Sequence, residues 1–376
     1  MNLHLFAACG KGLEPALEGE LLALGAHDIE VRRGGVAFRG DRRLAYLANL
    51  WLRSAIRVQE ELLETEVHDA DDVYAAATTL DWSAWITPDQ TLSVSASTRD
   101  TPGLKHSGHA ALRVKDAVVD HLRAKYKRRP SVDTKHPDVR LKLVVQRDRM
   151  RLYRDLSGAS LHKRGWRPIQ VKSPLNEALA AGLLLLSDWD RASPLADPMC
   201  GSGTFLVEAA WLATDRAPGL GRSFAFEGWL DHDVDVWNEL QAEARDRVKP
   251  TLPFALTGGD HHAGALALAQ RGAHDAGVSH LISFRESDAR DLTPKEKPST
   301  VVVNPPYGVR LGPGEDLDDA WTSLGNFLHR QCKGATAWVL SGSKTLTRHL
   351  GLRTSLRIPV MNGPIECRWL RYEIRE

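Results

Sequence analysis

Cysteine is scarce in this sequence: four in 376 residues, at Cys9, Cys200, Cys332 and Cys367. No Cys-x-x-Cys pair occurs, so neither a disulfide framework nor a zinc knuckle is expected, and no metal site is expected. Long apolar runs are also missing. The longest nearly unbroken one, Ala178 to Leu186, is far short of the ~20 residues that a membrane-spanning helix needs. No Lys or Arg precedes the apolar stretch Leu5 to Cys9, and that stretch is too short for the core of a secretion signal. These absences point to the cytoplasm and away from a membrane. Repeats and low-complexity segments are absent as well. Hydrophobic residues make up 43% and charged residues 26%, which excludes disordered, collagen-like and coiled-coil chains. At roughly 100–200 residues per domain, the length suits two or three domains.

A strong net charge is lacking too, at +1 overall, but the balance is uneven along the chain. Residues 1–100 carry 9 basic and 16 acidic side chains, for −7. Residues 101–170 carry 18 and 6, for +12, and residues 171–376 carry 22 and 26, for −4. A basic middle within a neutral chain implies a localised polyanion-binding face. Its candidate residues are Lys115, Arg123, Lys125, Lys127, Arg128 and Arg129 along and beyond one predicted helix. Arg140 and Lys142 lie on the wet face of an alternating strand. The bland reading is a solvated helix end that the helix dipole favours.

The hydrophobic period sets the organisation. Residues 1–55 read as a small α/β unit, with a strand at Asn2–Cys9 and a helix carrying Leu13, Leu17, Leu21 and Leu24. Strands follow around Gly34-Gly35, then a helix with Leu44, Leu47, Leu50 and Trp51. In the second unit, Asp69–Thr79 and Ser107–Lys127 read as helices, and Thr91–Thr98 and Val139–Val145 as strands. From about residue 170, short apolar strands alternate with helices, the pattern of a mostly parallel sheet covered on both faces. The predicted strands are Pro194–Met199, Phe254–Asp260, Ile282–Asp288, Thr300–Asn304, Ala335–Ser341, Leu356–Val360 and Cys367–Ile374. The last two flank Asn362-Gly363 and read as an antiparallel pair closing one edge.

Two loops carry chemistry. Asp197-Pro198-Met199-Cys200-Gly201-Ser202-Gly203-Thr204 joins the first of these strands to a helix. Its glycines let the backbone turn sharply and approach a ligand. Leu206 stands where a dinucleotide motif needs glycine, and no Gly-Lys-Ser/Thr follows, so the loop is neither dinucleotide-binding nor a P-loop. Asp197 would repel phosphate but attract an ammonium group, which suits S-adenosylmethionine. Asp260, after Gly258-Gly259, sits where ribose hydroxyls would be held, and Asp288 where adenine would lie. Alone, each could be a helix cap. The second loop, Asn304-Pro305-Pro306-Tyr307-Gly308, follows the strand Val301-Val302-Val303. The Asn304 side chain and the Pro305 carbonyl are acceptors that can grip both N–H bonds of one amine, and Tyr307 can stack on a planar base. Such a site works by positioning and electrostatics.

These motifs resemble class I methyltransferases that modify exocyclic or side-chain amines. The wider context narrows the match: Gly158–Arg167, Ser173-Pro174-Leu175-Asn176-Glu177, Ala217-Pro218-Gly219-Leu220, Phe226-Glu227-Gly228-Trp229 and Asn362-Gly363-Pro364. Together they resemble the bacterial RNA guanine-N2 methyltransferases with an N-terminal THUMP domain, of the RlmL-like type that acts on 23S ribosomal RNA. The resemblance implies an α/β chain in three parts. A ferredoxin-like segment spans 1–55, completed by about 155–168; a THUMP domain spans 56–155. A Rossmann-like methyltransferase domain at 169–376 would carry a seven-stranded, mostly parallel sheet with an antiparallel last strand.

By motif position, the resemblance implies that Asp197, Gly201 and Gly203 hold the methionine end of S-adenosylmethionine, with Met199, Ser202 and Thr204 also binding the cofactor. Asp260 would hold the ribose, Asp288 the adenine, and Asn304 would border the cofactor. Asn304, Pro305, Pro306 and Tyr307 would hold the flipped base. Lys163 and Arg164, beside His162, could reach RNA phosphate or merely end a strand. The implied partner is structured RNA, 23S first and transfer RNA second, with no membrane and no metal, and a monomer as the default state. Transfer RNA as substrate, adenine-N6 methylation, and a non-catalytic assembly role are the alternatives. His262 stands where many relatives carry a second acid or Asn, and Trp166 replaces a more usual Tyr. Aromatic residues crowd 215–250, read as an insertion near the active site that is either a packed lid or an RNA contact.

Overall fold

A computed structural model describes residues 2–167, 175–307 and 316–376. Ser173, Pro174 and Gly308 of the motifs above lie outside the described residues.

The N-terminal half builds β1 (Leu3–Cys9), α1 (Glu14–Ala23), β2 (His27–Arg32), β3 (Gly35–Gly40), α2 (Arg42–Trp51) and β4 (Ala55–Glu66). It continues with α3 (Ala70–Thr78), β5 (Thr91–Arg99), α4 (Ser107–Tyr126), β6 (Ser131–Val132), β7 (Val139–Gln146) and β8 (Arg149–Asp155). Local chemistry fixes the helix starts. Asp41 accepts from Leu44 N at 2.8 Å ahead of α2, and Asp69 accepts from Asp71 N and Asp72 N ahead of α3. The eight strands form a single sheet in the order β2-β3-β1-β4-β8-β7-β5-β6.

Three of these strands, β4, β6 and β8, were not expected from the sequence, and β4 and β8 join the two N-terminal units. The first half of β4 pairs with β1, Glu60 opposite Leu5, and its second half runs along β8, Glu66 opposite Arg149. A bulge between Glu61 and Leu63 breaks the alternation.

The C-terminal half contains α5 (Glu177–Leu185), β9 (Leu195–Asp197), α6 (Thr204–Ala213), α7 (Val234–Asp246), β10 (Leu256–Asp260) and α8 (Ala263–Asp275). Then come β11 (Ile282–Glu286), β12 (Thr300–Val303), α9 (Leu317–Gln331), β13 (Thr336–Ser341), β14 (Thr354–Asn362) and β15 (Ile365–Glu373). The sheet order is β11-β10-β9-β12-β13-β15-β14. The first five strands are parallel, and the β14–β15 hairpin is antiparallel and leaves β14 at the edge. This is the expected mostly parallel sheet with an antiparallel closing pair. The strand order reverses beside β9, between β10 and β12, and ligands of such sheets bind outside the strand C-termini at that reversal. Phe205 of α6 stacks on Trp369 at 5.6 Å, and Trp369 on Trp338 at 5.6 Å, which anchors α6 to the sheet.

The halves are packed together. A Cβ on Gly12 would lie 2.2 Å from the Pro359 carbonyl, and one on Gly182 would lie 2.8 Å from Leu13. The 215–250 segment is a packed element resting on the N-terminal unit. Phe224, Phe226, Trp229 and Trp237 are buried, and Phe226 stacks on Tyr46 at 4.3 Å. Arg154 of β8 lies 3.8 Å over Trp229 and pairs with Glu60 at 2.6 Å and Asp231 at 2.9 Å. These aromatics therefore offer no stacking surface to RNA. Among the described residues, no helix is long and apolar enough to cross a membrane.

Candidate active site

Asp197 ends the buried strand β9, and the next six residues turn into α6. Gly201 and Gly203 adopt left-handed backbone angles, φ 53° and 77°. A Cβ on Gly203 would lie 2.9 Å from that of Ala269 on α8, so this position is closed to side chains twice over. Gly258 and Gly259 in β10 serve close packing, because a Cβ there would lie 2.5 Å from Leu206 and 2.8 Å from Leu292. Main-chain bonds fix the loop: Cys200 N donates to the Gly259 carbonyl at 2.8 Å, and Met199 N to Asp197 Oδ1 at 3.2 Å.

Asp260 sits at the end of β10 and binds this loop directly. Its Oδ2 accepts from Gly201 N at 2.8 Å and its Oδ1 from His262 N at 2.9 Å. His262 is the residue that precedes α8 as its cap, so Asp260 is a loop clamp rather than a helix cap. Asp197 is 2% exposed. Burial pushes its carboxyl well above the usual carboxylate range, and the negative charge of Asp260 adds to the push. Among the described residues, neither acid has a cationic partner. A pair of acids buried without a counter-cation is expensive, and a ligand ammonium relieves that cost. The site therefore fits S-adenosylmethionine, whose ammonium group would supply the missing positive charge.

Ser202 and Met199 are half-exposed along the loop, whereas Thr204 is buried and its hydroxyl accepts from Arg167 Nη2 at 2.6 Å. Thr204 thus secures the start of α6. Asp288 caps a short 3-10 turn after β11, as the bland reading held. Its Oδ1 accepts from Arg290 N at 2.9 Å, from Arg290 Nε at 3.0 Å and from the Ser323 hydroxyl of α9. Burial raises this carboxyl, but the Ser323 and Arg290 hydrogen bonds win and hold it below its ordinary value.

Asn304 follows β12, the neighbour of β9 at the strand-order reversal. Its Oδ1 is buried and has no hydrogen-bond partner among the described residues. Such an acceptor costs free energy unless a ligand satisfies it. The turn behind it is held rigid. Pro305 is buried, and the Pro306 carbonyl accepts from Trp321 Nε1 at 2.8 Å. The Tyr307 hydroxyl accepts from Asn362 Nδ2 at 2.8 Å and from Cys367 Sγ at 3.4 Å. Its ring lies against Gly342, where a Cβ would come within 2.6 Å. Trp321, Asn362, Cys367 and Gly342 were missed as supports. Only Asn362, beside Gly363-Pro364, carried a sequence signal, and it read as a turn.

The basic candidates divide. Arg123, Lys125, Lys127, Arg128 and Arg129 are exposed around the end of α4, and Lys115, Arg140 and Lys142 are half-buried. Some are already engaged: Arg128 pairs with Asp89 at 2.5 Å, and Lys125 donates to Ser83 at 2.6 Å. Lys163 is exposed. Arg164 must be withdrawn as an RNA contact. It is 5% exposed and pairs with buried Glu208 at 3.2 Å, while donating to the Leu161 and Arg53 carbonyls at 2.8 and 2.5 Å. Beside it, burial and the Arg164 charge hold His162 down to about 4, so His162 is neutral at physiological pH.

Residues 164–371 match the RMKL-like methyltransferase domain, residues 4–59 the RlmL ferredoxin-like domain, and residues 67–155 the THUMP domain. The chain is 38% identical to "Putative RNA methyltransferase slr0064" of Synechocystis over 98% of this chain and 96% of that one. It is 41% identical to "Ribosomal RNA large subunit methyltransferase K/L" of Syntrophotalea carbinolica over its whole length, which spans 54% of that relative. Among solved structures, "SMU.472, a putative methyltransferase complexed with SAH" superposes with a TM-score of 0.90 at 25% identity, covering 100% of this chain and 99% of that one. The glycine loop clamped by Asp260, the uncompensated Asp197 and these matches agree: this chain belongs to the RMKL-like family of class I, S-adenosylmethionine-dependent methyltransferases with ferredoxin-like and THUMP domains.

Proposed function

We propose that this chain methylates the exocyclic N2 amine of a guanosine in RNA, with 23S ribosomal RNA as the substrate. The observation that carries this reading is the buried, unpartnered Oδ1 of Asn304 at the strand-order reversal. The names of the two relatives, one an RNA methyltransferase and one acting on the large ribosomal RNA, support the substrate class.

S-adenosylmethionine, when bound, supplies an electrophilic methyl group. The chain supplies the geometry. Asp197 faces the ammonium end, Asp260 the ribose and Asp288 the adenine. Asn304 Oδ1 accepts one N–H of the target amine and the Pro305 carbonyl accepts the other, which fixes where the nitrogen points. Tyr307 borders the base, with its hydroxyl tied to Asn362. An amide cannot serve as a base at neutral pH, so the surplus proton leaves to water. A base must leave its stack to reach Asn304, at a cost of a few kcal/mol. Phosphate contacts from the basic end of α4 offset that cost.

Nucleoside mass spectrometry tests the reading. Purified protein is incubated with labelled S-adenosylmethionine and unmodified 23S RNA or, separately, transfer RNA. N2-methylguanosine in the 23S reaction is the expected product. Label in transfer RNA alone would move the substrate, and N6-methyladenosine would overturn the base assignment.

A further inference from the structure

A cavity of about 550 Å³ adjoins the residues that hold Tyr307. Cys367 and Gly342 line it, and the same two residues contact the Tyr307 hydroxyl and ring. Three cations border it: Lys11 and Lys344, both exposed, and half-buried Arg368. Among the described residues, none of the three has an ion pair or a side-chain hydrogen bond. By contrast, Arg154 pairs with Glu60 and Arg164 with Glu208 elsewhere at the domain junction. Glu366 is the one carboxylate in the lining, so the cleft is net positive.

Lys11 comes from the N-terminal unit and is held at this cleft by design of the backbone. Met361 N of β14 donates to the Lys11 carbonyl at 3.1 Å. Gly12, at φ 94°, packs so closely on Pro359 and Val360 that no side chain fits there. The β1–α1 loop therefore meets the β14–β15 hairpin in a fixed pose, and the cleft draws its charge from both halves of the chain.

We propose that this cleft holds phosphodiester groups of the RNA strand that flank the target nucleotide. The proposal rests on the RNA reading above. An extruded nucleotide keeps a phosphate on each side, so the strand must run close past the turn that holds its base. Unmatched, partly flexible cations next to that turn suit a repeating anion better than a small ligand. The open cavity is larger than one phosphate requires, as a passing strand needs.

The test uses the full chain and an unmodified 23S RNA fragment, with binding measured across a salt series. Lys11→Ala and Arg368→Ala are compared with wild type. Lys249→Ala, an exposed lysine on the segment after α7, serves as the charge control. Each cleft variant should weaken RNA binding severalfold and lower the slope of log affinity against log salt by about 1. It should raise KM for RNA at unchanged kcat and leave S-adenosylhomocysteine affinity intact, which also shows that the variant is folded. Lys249→Ala should leave the slope unchanged. Wild-type slopes in both cleft variants, or an equal drop in Lys249→Ala, would overturn the cleft assignment while the RNA reading stands. Absence of RNA binding by the wild-type chain would overturn both.

Discussion

Arg164 and Asp197 are both deeply buried, at 5% and 2% exposure, yet among the described residues only Arg164 has a partner of opposite charge. Arg164 also spends its remaining donors on two backbone carbonyls. Asp197 faces a second carboxylate, Asp260, and the acceptor of Asn304 stands unsatisfied at the end of a neighbouring strand. The difference separates structure from function. A matched buried charge locks the segment after β8 to α6 and to the turn ahead of β4. Under the proposed function, the unmatched one is where a ligand completes the chemistry.

The comparison breaks most sharply at the matched pair. Arg164→Ala leaves Glu208 buried and alone, and should cost about 3–5 kcal/mol of stability. Thermal melts would show a large fall. If Arg164 were instead a phosphate ligand, stability would hold and only RNA affinity would drop.

Asp197→Asn should act in the opposite sense. It removes an uncompensated charge, so the ligand-free protein should not lose stability at neutral pH. Under the proposed function a charge-assisted bond to the ammonium group is forfeited, so S-adenosylhomocysteine affinity should fall by about 1.5–3 kcal/mol. Calorimetry measures this directly. The pH dependence follows from the raised carboxyl: folded Asp197 binds its proton more tightly than the unfolded chain does. Its stabilising contribution is full below the ordinary carboxylate range and is lost as pH rises through the folded value. Melts of the ligand-free wild type should show this loss, and Asp197→Asn should lack it.

The smallest effects belong to the solvated cations. Lys127→Ala and Arg129→Ala, at the exposed end of α4, should each reduce the salt slope of RNA binding by about 1 and leave melting unchanged. An unchanged slope would return this cluster to an ordinary solvated helix end.

Much of the C-terminal sheet was legible in the sequence because its strands are short, apolar and bounded by glycine, proline and acidic residues. The two loops were legible because their backbone demands are written in residue types: Gly201 and Gly203 need left-handed angles. β4 and β8 were not legible. Their charges, such as Glu60 and Glu64 against Arg154, Arg149 and Arg151, look like surface residues until the strands pair. The Leu62-Leu63 doublet lies at the bulge and hides the alternation. Arg164 misled for a related reason: a Lys-Arg pair reads as basic surface, and only the fold buries one member against Glu208. The grip on Tyr307 joins residues 307, 342, 362 and 367, which no local pattern connects.

The most direct measurement is single-turnover methylation by Asn304→Ala alongside its S-adenosylhomocysteine affinity. The unmatched acceptor predicts a rate loss of about 10²–10³-fold with a folded protein and near wild-type cofactor binding. A folded variant that turns over at the wild-type rate would contradict the role assigned to Asn304 and, with it, the claim that unsatisfied buried groups mark this site.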